Sequence, residues 1–112
     1  MKYVCLVYLE EEKLRAVDDR ECIACGQKFQ NDGILVAAEA LEPVKRARTL
    51  RVRGGKTVIT DGPFAETKEL LAGFYLIEAK DFDEAMEIAS KIPPAREGSI
   101  EVRPVRELDV PA

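Results

Sequence analysis

The chain has 112 residues, 46% of them apolar and 34% charged, a balance that suits one globular domain with a modest core and excludes a disordered chain. Its 17 basic residues against 21 acidic ones leave a net charge of -4, which speaks against a general nucleic-acid binder. It contains no histidine. That removes the commonest acid–base group near neutral pH, the commonest metal ligand, and any Ser-His or Cys-His nucleophile pair.

No stretch has the apolar length of a membrane span. Met1 to Tyr8 leads straight into acidic residues and reads as a first strand rather than a leader. Three cysteines, an odd number without a secretion signal, point to reduced thiols and a cytoplasmic protein. We expect residues 1–112 to form a single domain.

Residues 2–9 are mostly β-formers with apolar residues on both faces, as in a central strand. Glu10-Glu11-Glu12-Lys13 is a solvated loop or the start of a helix. Residues 18–32 form a helix capped by Asp18 or Asp19, with an apolar stripe of Cys22, Cys25, Gly26 and Phe29, and Asn31-Asp32-Gly33 stops it. Ile34 to Leu41 reads as a strand in which Leu35 and Ala37 share a face with Glu39. Its alanines Ala37, Ala38 and Ala40 imply close approach of another layer.

Thr49 to Thr60 is a hairpin turning at Gly54-Gly55. Val52 then pairs with Thr57 and Leu50 with Ile59 on an apolar face. Arg51 pairs with Val58 and Arg53 with Lys56 on a cationic one. Thr60-Asp61-Gly62-Pro63 is a turn, with Asp61 accepting from turn amides and Phe64 plugging the core. Ala72 to Ala79 is another strand. Asp81 opens a helix with a capping box and a buried stripe of Phe82, Ala85, Met86, Ala89 and Ile92, halted by Pro93-Pro94. Ile100 to Val105 is the last strand.

The order is βαβ, hairpin, βαβ. Setting the hairpin aside leaves a ferredoxin-like βαββαβ sandwich of the α+β class, with helices on one sheet face only. Its open face is expected to be partly polar, lining a cleft, and partly apolar, pairing sheet to sheet with a second copy.

Four groups of residues invite chemistry. Cys22-x-x-Cys25 has redox or zinc spacing, but both thiols lie on the apolar stripe and no second ligand pair exists, so buried structural thiols are expected. Lys45, Arg46, Arg48, Arg51, Arg53 and Lys56 put six cations in twelve residues; this is a charged hairpin edge or an attractor for an anionic ligand or acidic partner. Glu39, Glu101 and Arg103 form an acid–base cluster or, as we favour, an ion-pair network across a dimer interface. Asp61, Glu66, Lys68 and Glu69 crowd one turn.

Asp61-Gly62-Pro63-Phe64-Ala65-Glu66-Thr67-Lys68-Glu69, followed by Gly73-Phe74-Tyr75-Leu76-Ile77, resembles the signature of the DGPF subgroup of YCII-related proteins. Gly33 to Leu41, Arg51-Val52-Arg53, Asp83-Glu84-Ala85 and Glu101-Val102-Arg103-Pro104 extend the likeness over most of the chain. The resemblance implies a dimeric α+β barrel. It also implies kinship with small-molecule isomerases and decarboxylases that use a His-Asp pair, which this sequence lacks, and for some relatives an association with sigma factors.

The expected function is therefore a cofactor-independent, metal-free enzyme, isomerase- or decarboxylase-like, binding an anionic organic ligand near the DGPF turn. Asp61 is the proposed catalytic group, and Glu66, Lys68, Tyr75, Arg103 and Glu39 the proposed ligand-binding residues. The alternative is a non-catalytic accessory module that binds a ligand or a protein such as a sigma factor. A homodimer is expected, with no nucleic acid or membrane partner.

Overall fold

Strand β1 (Lys2–Glu10) alternates strictly, with Tyr3, Cys5, Val7 and Leu9 buried and the residues between them half-buried. Apolar residues on both sides place it inside a sheet. The computed structural model describes residues 1–109. β1 is followed by a one-turn helix α1 (Glu11–Leu14), helix α2 (Asp19–Asn31) and strand β2 (Leu35–Ala40). The hairpin strands β3 (Arg48–Arg53) and β4 (Lys56–Asp61) come next, then β5 (Glu69–Glu78), α3 (Phe82–Ala89) and β6 (Ser99–Pro104). The main sheet has the order β2-β5-β1-β6 with every neighbour antiparallel. That is two interleaved split βαβ units, the ferredoxin-like arrangement, with the β3–β4 hairpin as a separate two-stranded sheet. Among the described residues no helix is long and apolar enough to cross a membrane.

Both longer helices begin as their residues dictate. The Asp18 carboxylate accepts from the Arg20 amide at 2.9 Å, and Asp81 Oδ1 accepts from the Glu84 amide at 2.8 Å. The Glu84 carboxylate reaches back to the Lys80 amide at 3.1 Å, one residue earlier than in a standard capping box. On α2 the expected stripe is the inward one, with Phe29 fully buried and Cys22, Cys25 and Gly26 half-buried. On α3 the expected stripe is rotated. Ala85, Ile88 and Ala89 are buried with Ile92, whereas Phe82 and Met86 are 43% and 50% exposed. The spacing 85, 88, 89, 92 is a single helical face, and Phe82 sits beside it with its ring edge-on to Tyr3 at 5.5 Å.

Two bulges set which side chains face the helices. β2 slips against β5 between Leu35 and Ala37, so Leu35 pairs with Ile77 and Ala38 with Tyr75 on the helix side. Ala37 and Glu39 pair with Leu76 and Phe74 on the open side. Leu35 therefore does not share a face with Ala37 and Glu39, because the extra residue Val36 inverts the alternation. β5 slips again beyond Gly73. The core joins the inward residues of β1 with Phe29, Tyr75, Ile77, Ala85, Ile88, Ala89 and Ile92. The opposite face presents Val4, Leu6, Tyr8, Phe74 and Leu76, all half-buried.

The hairpin register is the expected one in every pair, and Gly54 and Gly55 both have positive φ, +56° and +76°, as a type I′ turn requires. The ribbon stands clear of the body. The radius of gyration is 16.0 Å, against roughly 13 Å for a compact chain of this length. Phe64 does not plug the core: it is 78% exposed, with the Arg51 guanidinium 5.6 Å above its ring.

Gly98 enters β6 against β1, where an added Cβ collides with the Tyr8 carbonyl oxygen and comes 2.9 Å from Leu9 Cδ2. Gly98→Ala is expected to cost about 2 kcal/mol or more, because backbone has to move to admit it. A lowered urea midpoint at unchanged slope is the expected readout, and an unchanged midpoint would refute this packing.

Candidate functional site

A cleft of about 590 Å³ opens between α2 and the main sheet, at the β2 side. It exists because its walls are made of small residues: Gly26 on α2, Ala38 and Ala40 on β2, Ala72 and Gly73 on β5. Gly73 also lets the edge strand close in, since a Cβ there would lie 2.8 Å from the Glu39 carbonyl oxygen. Larger apolar groups, Val7, Leu9 and Leu35 among them, line its floor.

Tyr75 is the buried polar side chain among the lining residues, which also include Gln27 and Gln30 of α2. Its ring packs edge-on against Phe29 at 6.0 Å, and its hydroxyl donates to the Cys22 carbonyl at 3.3 Å. Burial pushes the Tyr75 phenol well up, and the neighbouring Cys25 and Cys22 add to the shift. Burial likewise raises Cys25, with Cys22 adding to it. Cys22 is raised by burial and then by Asp19, Glu21 and Asp18, with Arg96 opposing. These groups therefore stay neutral near pH 7. The phenol is a hydrogen-bond donor, and the thiols are not activated nucleophiles.

The residues proposed from sequence are dispersed. Tyr75 and Glu39 both border the cleft, although Glu39 stands on the open-face side of β2. Asp61 ends β4 with its side chain 94% exposed, 3.7 Å from the Arg48 guanidinium. Glu66 is exposed, and Lys68 pairs with Glu10 at 3.3 Å. Arg103 pairs with Glu101 on β6. Glu39 and Glu101 lie in one cross-strand row, Glu39–Phe74–Leu6–Glu101. Three strand spacings, about 14 Å, separate them, so they are not a carboxylate pair.

A second depression, near Lys68, is a shallow one lined by Glu10, Glu11, Glu12, Arg15 and Lys68. Carboxylates outnumber cations there, and the ionisable side chains on the α2 cleft besides Tyr75 and Cys22 are Asp19 and Glu39. Neither hollow has the cationic lining expected for an anionic ligand. Sequence reasoning missed Asp19 and the small-residue walls. The signal was present in Ala37-Ala38-x-Ala40, and in Gly26 standing on an apolar helix stripe.

A family model described as "YCII-related domain" matches residues 1–109. An uncharacterised protein of Rhizobium meliloti (strain 1021) is 44% identical over 88 residues, which are 77% of this chain and 71% of that protein. Among solved structures, 5-chloro-2-hydroxyhydroquinone dehydrochlorinase from Burkholderia phenoliruptrix AC1100, in complex with 2,5-dihydroxybenzoquinone, superposes with a TM-score of 0.52. The identity is 13%, over 95% of this chain and 94% of that one. A likeness at that identity supports the ferredoxin-like fold.

Burial also raises the Cys5 thiol, from 9.0 to about 11. A raised folded-state pKa stabilises the native protein fully below the unfolded value and loses that contribution as pH climbs toward the folded one. With Cys5, Cys22, Cys25 and Tyr75 all raised, stability should be level up to about pH 9 and fall between pH 9 and 11, Cys5 alone accounting for about 2 kcal/mol. Urea titrations across this range check it. Cys5→Ala should show a shallower alkaline slope, and an equal slope would contradict the assignment.

Proposed function

The chain belongs to the YCII-related family, and we propose that it binds a small, uncharged, oxygen-bearing organic molecule in the cleft between α2 and the sheet. The observation that carries this reading is Tyr75, a neutral phenol inside a mainly apolar cleft of about 590 Å³. That volume lies in the range of small-molecule sites, which combine apolar walls with a few fixed polar groups. The Tyr75–Cys22 bond at 3.3 Å is long for an O–H···O contact, so the hydroxyl loses little by turning to a ligand oxygen. The fold neighbour that holds 2,5-dihydroxybenzoquinone supports a ring-sized occupant.

Asp19, on the first turn of α2, is a carboxylate that lines the cleft on the same side of the sheet as Tyr75. Tyr75 would hold a carbonyl or hydroxyl oxygen, and Asp19 would accept a proton from the adjoining atom. A cofactor-independent proton shift, isomerase-like in kind, is the chemistry this pair supports. The absence of histidine favours a second reading in which the same cleft binds without turnover. In both readings Asp61, exposed at the base of the hairpin and 3.7 Å from Arg48, lies outside the proposed site.

Amide NMR with hydroquinone and benzoate as probes separates the possibilities. Hydroquinone should shift amides in 22–26 and 72–75, while benzoate is repelled by Asp19 and Glu39. Tyr75→Phe, with its fold checked by circular dichroism, should weaken hydroquinone binding about fivefold, the worth of one neutral hydrogen bond. Asp61→Asn should leave it unchanged. Benzoate binding with shifts confined to 61–68 would return the site to the turn.

A further inference from the structure

The hairpin is the part of the molecule that its own chain does not account for. From Arg48 to Asp61 every residue but Thr49 is exposed, and Leu50, Val52 and Ile59 are 59%, 55% and 61% exposed on a common face. A two-stranded ribbon is marginal in water without a third layer to cover it. The Cα extents are 48 × 46 × 20 Å. A helix layer packed about 10 Å from a sheet fills the short dimension, so the ribbon extends in the plane of the body and is not folded over its own sheet. Charged strands that resist edge aggregation would explain Arg51, Arg53 and Lys56. They do not explain an apolar reverse face.

We propose that β3–β4 is an exchanged arm: its apolar face lies on the open sheet face of a second copy of this chain, and the second copy's arm lies on the first. Charge selects that occupant. Residues 43–60 hold six cations and no carboxylate, leaving a net charge of -10 on the rest of the chain. The arm therefore complements the body of its own protein. The open face matches it in detail. Leu6, Phe74 and Leu76 supply an uncovered apolar surface, and Glu39 and Glu101 flank it at the two edges. Leu50, Val52 and Ile59 would cover the apolar surface, while Arg51, Arg53 and Lys56, on the ribbon's other face, would add attraction through the overall field of the acidic body. A two-fold axis makes the contact twice, doubling the area for one complementary pair of surfaces. The arrangement differs from simple sheet-to-sheet pairing because the hairpin carries the contact. The contact lies on the opposite side of the sheet from Tyr75, although Glu39 and Phe74 also border the α2 cleft.

Sedimentation of the full chain at micromolar concentration tests it. The wild type should be a dimer that weakens as salt is raised. The double variant L50E/I59E, remote from the core, should keep its far-ultraviolet spectrum and hydroquinone binding while dimerising about 100-fold more weakly. A photocrosslinker in place of Val52 should join the partner within 2–10 or 69–78. A monomeric wild type, a double variant that dimerises normally, or crosslinks confined to the helix side would each overturn the exchanged arm.

Discussion

Tyr3, Cys5, Val7 and Leu9 enter one buried cluster with Phe29 of α2 and with Ala85, Ile88 and Ala89 of α3. This single face of β1 ties the two halves of the fold together. β1 is hydrogen-bonded on one side to β5, which precedes α3, and on the other to β6, which follows it. Each split βαβ unit thus has a strand of the other unit in its middle, and neither can bury its helix without the other. The elements at the periphery are freer because they touch this face less.

One-sided burial has two consequences. The helix side must be dense over β1 yet thins toward β2, where alanines and glycines replace branched residues; that thinning is the cleft. The opposite side has no helices, so Val4, Leu6, Phe74 and Leu76 remain half-covered. The same residue classes thus make a core on one face and an unfinished surface on the other. Apolar character alone does not distinguish them; the strand's partners do.

Much of the fold was legible along the chain. The 2.0 and 3.6 periodicities, Asp18 and Asp81 as caps, and Gly54-Gly55 as a primed turn are local signals, each caused by residues within a few positions of one another. The hairpin register followed in every pair for the same reason. The α3 stripe was misplaced because Phe82 and Met86 are apolar enough to suggest a face that Ile88 in fact occupies. Phe64 was misread because an aromatic beside a turn looks like an anchor, whereas here the side chain is stacked beneath Arg51.

The candidate site was legible only in pieces. Tyr75 and the alanine-rich strand were visible, but Asp61, Glu66, Lys68 and Arg103 draw the eye by charge and clustering in sequence, which says nothing of where a cavity lies. The sequence by itself determined the element types, the hairpin pairing and the ferredoxin-like order, since these depend on local periodicity and turn chemistry. Only the tertiary structure decided which face each residue of β2 takes, because one extra residue at Val36 inverts the alternation beyond it. It also decided that Glu39 and Glu101 are strands apart and that Tyr75 lies in a cleft. Those facts depend on strand register and on contacts between residues 35 to 95 positions apart, which no local pattern encodes.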